Sequence, residues 1–234
     1  MKKKSNNDIY TLIEGSDFAG KSTVANELAR ISDKPLLARE GKLSKINCNI
    51  LGYMQLKKKE QACSDNVLFR LLQAAATNDI ENYEQELSGA LFITRDKIQV
   101  SNYLLRYYAI FAERGLCSFH LKEIEILLKE RYPRPKHSFY LYAEIDERIA
   151  RLENRKKNPN ERISSTDKLL ETDRGIERFI RMESFLRELS NELYDPIPID
   201  TTGKNVFDVA EEIKLYIDHS LSKSSKDLSL LSLQ

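Results

Sequence analysis

An α/β fold with a five-stranded parallel sheet, helices on both faces and a lid loop is predicted by three observations on this sequence. Short apolar or β-branched runs alternate with stretches of helical period along most of the 234 residues, the pattern that right-handed crossovers assemble into a parallel sheet. The first such run leads directly into Gly15-Ser16-Asp17-Phe18-Ala19-Gly20-Lys21-Ser22, where two glycines separated by four residues precede a lysine and a hydroxyl. A chain of this length with 41% hydrophobic residues buries one full core without dividing in two.

Taken in order, the first strand is expected over 9–13, short, β-branched and mostly apolar, as a strand covered on both faces should be. The helix after the glycine-rich run is expected over 22–31, where Val24, Leu28 and Ile31 repeat at helical spacing. Further strands are read over 35–38, 90–94, 138–145 and 196–200, and further helices near 65–77, 79–88, 97–114, 121–131, 146–155, 173–193 and 205–219. Residues 42–61 mix Lys57-Lys58-Lys59 with Asn47, Cys48 and Asn49 without a clean period, which reads as an insertion or a cover on the substrate side. The last stretch, 220–234, is rich in serine, lysine and leucine and reads as a flexible C-terminal tail after a single domain over 1–219.

Composition narrows the function classes. Cys48, Cys63 and Cys117 are odd in number, scattered and without metal-ligand spacing, so neither a disulfide framework nor a zinc site is indicated. No apolar run reaches spanning length, and Met1-Lys2-Lys3-Lys4 leads into polar residues rather than the core of a signal peptide, so a cytoplasmic protein with no membrane partner is expected. A formal charge of +1 gives no global attraction to a nucleic acid polymer, so an anionic ligand must be held locally.

The glycine-rich run has the residues to hold one. Its glycines let the backbone amides of Gly15, Ser16, Ala19, Gly20, Lys21, Ser22 and Thr23 curl around phosphate oxygens. Lys21 places a cation on the outer phosphates, Ser22 offers an oxygen to Mg²⁺, and the following helix adds its N-terminal partial charge. Asp17 lies inside the loop, where its carboxylate would repel phosphates unless it points away; it either meets an acceptor hydroxyl or forms a local turn. Arg39, after the second expected strand, either forks onto an acceptor phosphate or pairs with a glutamate on the surface. Asp96, placed at the end of the strand expected over 90–94, either holds the magnesium shell and orients the attacking oxygen or caps the next helix.

A basic group, Arg151, Arg155, Lys156, Lys157 and Arg162, flanks Asn158-Pro159-Asn160, a breaker-rich stretch expected as an exposed lid near 155–168. Cations delivered by such a lid stabilise the charge of a transferring phosphoryl group, which is the role considered for Arg151, Arg155 and Arg162 against that of a solvated face. Tyr103, Tyr107 and Phe111 repeat at helical spacing and are read mainly as core.

Several of these segments together resemble the thymidylate kinase branch of the P-loop nucleoside monophosphate kinases over most of residues 8–219. Ile13-Glu14-Gly15-Ser16-Asp17 through Gly20-Lys21-Ser22-Thr23 is similar to that family's glutamate-glycine-x-aspartate loop, and Leu37-Ala38-Arg39-Glu40-Gly41 to its turn after strand two. Gly89 to Lys97 with Ser101 resembles its third strand and the serine that follows, and 139–155 its fourth strand with a lid-bearing helix. The resemblance implies a P-loop kinase fold, ATP and Mg²⁺ as cofactors, and phosphoryl transfer to a small-molecule nucleoside monophosphate such as dTMP. It also implies acceptor contacts from Arg39, Arg70, Lys97 and Ser101, the acceptor sugar facing Asp17, and a homodimer paired through helices beside the sheet. Lys97 stands where the family has arginine, and Gln73-Ala74-Ala75 where a helix arginine is expected, with Arg70 one turn earlier. Phe18 stands where some relatives carry an arginine inside the loop, so that cation must come from the lid. These departures leave two other readings open: a kinase of a nucleoside or other small hydroxylated metabolite, and a nucleotide-binding regulatory protein with little turnover.

Overall fold

The computed structural model describes residues 10–34, 36–37, 67, 70, 73–74, 97–115, 118–131, 134–158 and 167–231. The strands are β1 Tyr10–Gly15, β2 Leu36–Leu37, β3 Lys97–Val100, β4 His137–Tyr142 and β5 Ile197–Asp200, all parallel, in the spatial order β2-β3-β1-β4-β5. The helices are α1 Lys21–Ser32, α2 Tyr103–Glu113, α3 Ser118–Ile126 with a π turn over Leu127–Arg131, α4 Ile145–Lys156, α5 Asp173–Tyr194 and α6 Val206–Leu231. A 3₁₀ turn, Asp167–Glu171, precedes α5.

β1 is the central strand because its side chains need cover on both faces, and every one of its residues is buried. On one face Ile13, Val24, Leu28, Ile98, Phe139, Leu141 and Ile213 close a core between the sheet and α1 and α6. On the other, Leu104, Leu105, Phe111, Tyr140, Phe179, Leu186 and Leu189 pack α2 and α5 together. Burial of side chains of this size stabilises by roughly 1.5–3 kcal/mol each. The carboxyl ends of β1, β3 and β4 therefore meet on a rigid edge, where ligands gather in open parallel sheets. Helix α6 runs on to Leu231, carrying regular backbone into the segment expected as a tail.

The strand hydrogen-bonded between β2 and β1 comes from a segment that the sequence reading gave to a helix. Residues 90–94 lie outside the described residues, and Lys97–Val100, expected to open a helix, forms β3. Ile98 and Val100 are buried while Gln99 between them is half-exposed, a period of two that the helical reading overlooked. Helix α2 starts only after Asn102, whose side chain accepts from the Leu104 amide at 2.9 Å as an N-cap. Lys97 is accordingly paired with Tyr10, at the amino end of β1, whereas the phosphate loop leaves its carboxyl end. Five residues of strand, about 16 Å, separate the two along the sheet, so the backbone of Lys97 stands at the opposite end of β1 from the loop.

Candidate active site

The phosphate loop leaves β1 at Gly15, whose φ of 139° and close approach to β4 require glycine: a Cβ there would stand 1.9 Å from the Leu141 carbonyl oxygen. The Ser16 amide instead donates to that oxygen at 2.9 Å. The chain turns through left-handed backbone at Phe18 (φ 64°) and Gly20 (φ 83°) and enters α1 with no side chain capping it and no acidic residue in its first turn. Ser22 and Thr23 are exposed at that end. A helix N-terminus without a side-chain cap and exposed hydroxyls are the equipment of an anion cradle, so the residues present fit a triphosphate with Mg²⁺. Among the described residues no cluster of three or more His, Cys, Asp or Glu could cage a metal.

Lys21 is only 6% exposed and turns back on the loop, donating to the Gly15 and Ser16 carbonyl oxygens at 2.8 and 2.6 Å and lying 3.4 Å from an Asp17 carboxylate oxygen. The same Asp17 oxygen accepts a charge-assisted bond from Arg106 on α2.

Helix α4 supplies three arginines at i, i+3 and i+7, a single helical face. Arg148 donates Nε to the Asp17 carbonyl at 2.9 Å and both terminal nitrogens to Glu183 of α5 at 2.8 and 2.7 Å, with its guanidinium 4.7 Å from the Phe179 ring centre. Arg151 donates to the Phe18 carbonyl at 2.9 Å and to the Thr201 carbonyl at 2.8 Å, and Thr201 in turn donates to the Ala19 carbonyl at 3.0 Å. Arg155 lies over the Phe18 ring, 5.2 Å from its centre. The α4 face thus holds successive positions of the loop and ties it to the turn after β5. Burial pushes the Glu183 carboxyl above the ordinary carboxylate range against the pull of Arg148, and burial likewise raises the Tyr140 hydroxyl on the neighbouring strand.

Beneath the loop, fully buried Glu14 accepts from the Gly15 amide at 3.1 Å and, with its other oxygen, from the Asn102 amide at 2.7 Å. One carboxylate therefore braces both the start of the phosphate loop and the cap of the helix that carries Arg106. Replacing Glu14 by Gln leaves one of these buried donors facing an amide NH₂, at an expected cost of about 1–3 kcal/mol. Urea denaturation reads this directly, and an unchanged midpoint would show that the brace contributes nothing.

Of the residues picked from sequence, Gly15, Ser16, Asp17, Ala19, Gly20, Lys21, Ser22, Thr23, Arg151 and Arg155 converge on this edge. Ser101 follows β3 at φ 57°, its amide donating to the Ile13 carbonyl at 2.9 Å, and its buried hydroxyl has no partner among the described residues. Ser101 and Asn102, rather than an aspartate, occupy the carboxyl end of β3. Arg70 is 62% exposed and bonds Gln73 at 2.7 Å, with Glu123 of α3 at 4.0 Å, an outer-surface setting. Asp96, Arg39 and Arg162, with the lid tip at 159–166, lie outside the described residues. Arg106, Arg148, Glu183 and Thr201 were not read from the sequence; of these only Arg148 carried a local signal, its spacing to Arg151 and Arg155.

No protein-family model and no curated protein sequence matches this chain. Solved structures do: a thymidylate kinase from Candida albicans superposes with a TM-score of 0.62 at 19% identity, over 90% of this chain and 91% of that one. Deoxyadenosine kinase from M. mycoides, in a form with dCMP and a flexible dCDP, superposes at 0.55 and 15% identity, over 90% of this chain and 99% of that one. Its dCTP-bound form superposes at 0.56 and 13% identity, with the same coverage. At such identities the likeness is one of architecture: the chain shares the fold of these kinases.

Proposed function

We propose that this protein is a Mg²⁺-dependent kinase moving the terminal phosphoryl group of ATP to a nucleoside monophosphate, with a deoxypyrimidine nucleotide such as dTMP as acceptor. The observation that carries the reading is the uncapped N-terminus of α1 beneath a left-handed glycine loop, with Lys21 inside it and the α4 arginines along its outer side. Phosphoryl transfer asks the protein mainly for positioning and positive charge, and those are the features gathered here. Lys21 and the loop amides would hold the donor phosphates and Ser22 would ligate Mg²⁺, with Arg155 beside the developing charge. Asp17 would meet the acceptor sugar, while Arg39 and Arg162 keep the roles suggested by sequence; the metal-shell role read for Asp96 assumed a strand ending before it, and β3 instead begins at Lys97. Arg148 and Arg151 serve the loop's shape instead, because their donors are committed to Glu183, Glu147 and backbone carbonyls. We place the enzyme in the cytoplasm; among the described residues no helix is long and apolar enough to cross a membrane.

A second reading, transfer to a nucleoside or another small hydroxylated metabolite, is favoured by the carboxyl end of β3. Ser101 and Asn102 stand there, so this wall of the acceptor cleft is neutral. The test is incubation of the purified chain with ATP and Mg²⁺ against monophosphates, nucleosides and sugars, reading ADP release and product mass. A diphosphate formed from one monophosphate is the expected result. A monophosphate formed from a nucleoside would move the assignment to the second reading, and ATP binding without any product would sink both.

A further inference from the structure

We infer that Arg106 is the residue that makes an acidic phosphate loop compatible with a triphosphate: it neutralises Asp17 so that donor phosphates can occupy the loop. The inference rests on the donor half of the proposed function, the binding of ATP in the Gly15–Ser22 loop. A carboxylate three positions before the last loop glycine is an electrostatic problem, since a unit charge several ångströms from the phosphates opposes them strongly in a site shielded from water. Asp17 is shielded in this way, at 14% side-chain exposure, and so is Arg106 at 17%.

Lys21 is not suited to be the lasting partner. Its ammonium lies 3.4 Å from Asp17, while its short bonds go to the Gly15 and Ser16 carbonyls, and it is the cation that phosphates would draw outward. Arg106 holds the same Asp17 oxygen more closely and comes from outside the loop, so its bond survives any movement of Lys21. Its position is also fixed independently. It lies one turn into α2, its amide donating to the Asn102 carbonyl at 3.2 Å, and the Asn102 amide is held by Glu14, the residue immediately before the loop. Arg148 does not replace it: its Nε addresses the Asp17 main-chain carbonyl and its other donors go to Glu183, an acid that adds to the local negative charge.

The experiment is a double-mutant cycle on ATP binding with Mg²⁺, measured by calorimetry on the full chain together with an unfolding midpoint for every variant. Arg106→Ala is expected to weaken ATP binding about tenfold or more, and Arg106→Lys to recover most of that loss. Asp17→Asn alone is expected to bind ATP at least as tightly as the parent chain, because it leaves the Arg106 charge uncompensated beside the phosphates. Asp17→Asn combined with Arg106→Ala is expected to restore near-parental affinity, a rescue that a merely structural role would not produce. Equal binding by Arg106→Ala and the parent, or a double variant as weak as Arg106→Ala, would overturn the inference. If Arg106→Ala does not fold, Arg106→Lys and Asp17→Asn decide it, and weaker binding by Asp17→Asn counts against it. A cycle that holds while no acceptor is phosphorylated leaves Arg106 its role and removes the kinase assignment. Turnover with a flat cycle removes only Arg106, and a parent chain that binds no ATP removes both.

Discussion

Lys21→Ala is expected to lower kcat/KM for phosphoryl transfer by about 10²–10³-fold, the scale found when one preorganised donor to developing charge is removed, while the chain remains folded. The rate effect follows from placement: Nζ lies inside the loop curl, 2.6–2.8 Å from two of its carbonyls and already stripped of most water. Such a group strengthens its hold on an oxyanion without reorganising when charge develops. The fold effect is expected to stay at about 1–3 kcal/mol, because the lost bonds go to two buried carbonyls and removing the long side chain leaves room for water to reach them. Steady-state kinetics with the true acceptor, read beside a denaturation curve, separates the two. Turnover retained within a few-fold would overturn the assignment of the loop as the donor site.

Arg148→Ala is expected to cost about 3–5 kcal/mol of stability, the range for breaking a buried pair and leaving one charge behind. Three losses coincide there: both Glu183 oxygens lose a guanidinium donor, the Asp17 carbonyl loses another, and the Phe179 ring loses the cation above it. In a chain of this size each kcal/mol moves Tm by roughly 2–4 °C, so calorimetry should register a fall of roughly 6–20 °C. The loss should also depend on pH. A carboxyl whose folded value is raised contributes stability when protonated; that contribution is complete below its unfolded range and disappears as pH rises through the folded value. Burial already pushes Glu183 upward and Arg148 opposes it, so removing Arg148 widens that window. The variant should therefore be least stable at neutral and alkaline pH and recover toward pH 5. Adding Glu183→Leu should recover much of the loss, since two apolar side chains leave no stranded charge. A single variant as stable as the parent would mean that the pair is solvated in solution.

The glycine-rich turn between β1 and α1 was legible because its pattern is local: glycine, lysine and hydroxyl at fixed spacing between an apolar strand and a helix. β1, α1, β4, α4, α5 and β5 were legible for a related reason, since each carries its own period and sits near its expected boundaries. The segment at 97–102 was not, because Ile98 and Val100 fit both a helix face and a two-residue strand alternation in so short a stretch, and only the Asn102 cap distinguishes them. Glu183 and Arg106 were illegible in principle. Each meets its partner across dozens of residues, 35 for Arg148 with Glu183 and 89 for Arg106 with Asp17, and only the packing of α2 and α5 brings them together. The acceptor role read for Lys97 rested on a strand ending before it, whereas β3 begins at that residue.

The arginine face of α4 makes the helix intolerant of changes in length. One residue inserted or deleted between Arg148 and Arg155 would swing everything beyond it by about 100°, carrying Arg155 off the Phe18 ring. Depending on where the change fell, it would take Arg151 off the Phe18 and Thr201 carbonyls as well. Point substitutions on the outward side of α4 leave that alignment intact. Variation among natural versions of this protein should therefore accumulate there as exchanges of side chain, with gaps and insertions confined to the segment beyond Lys157.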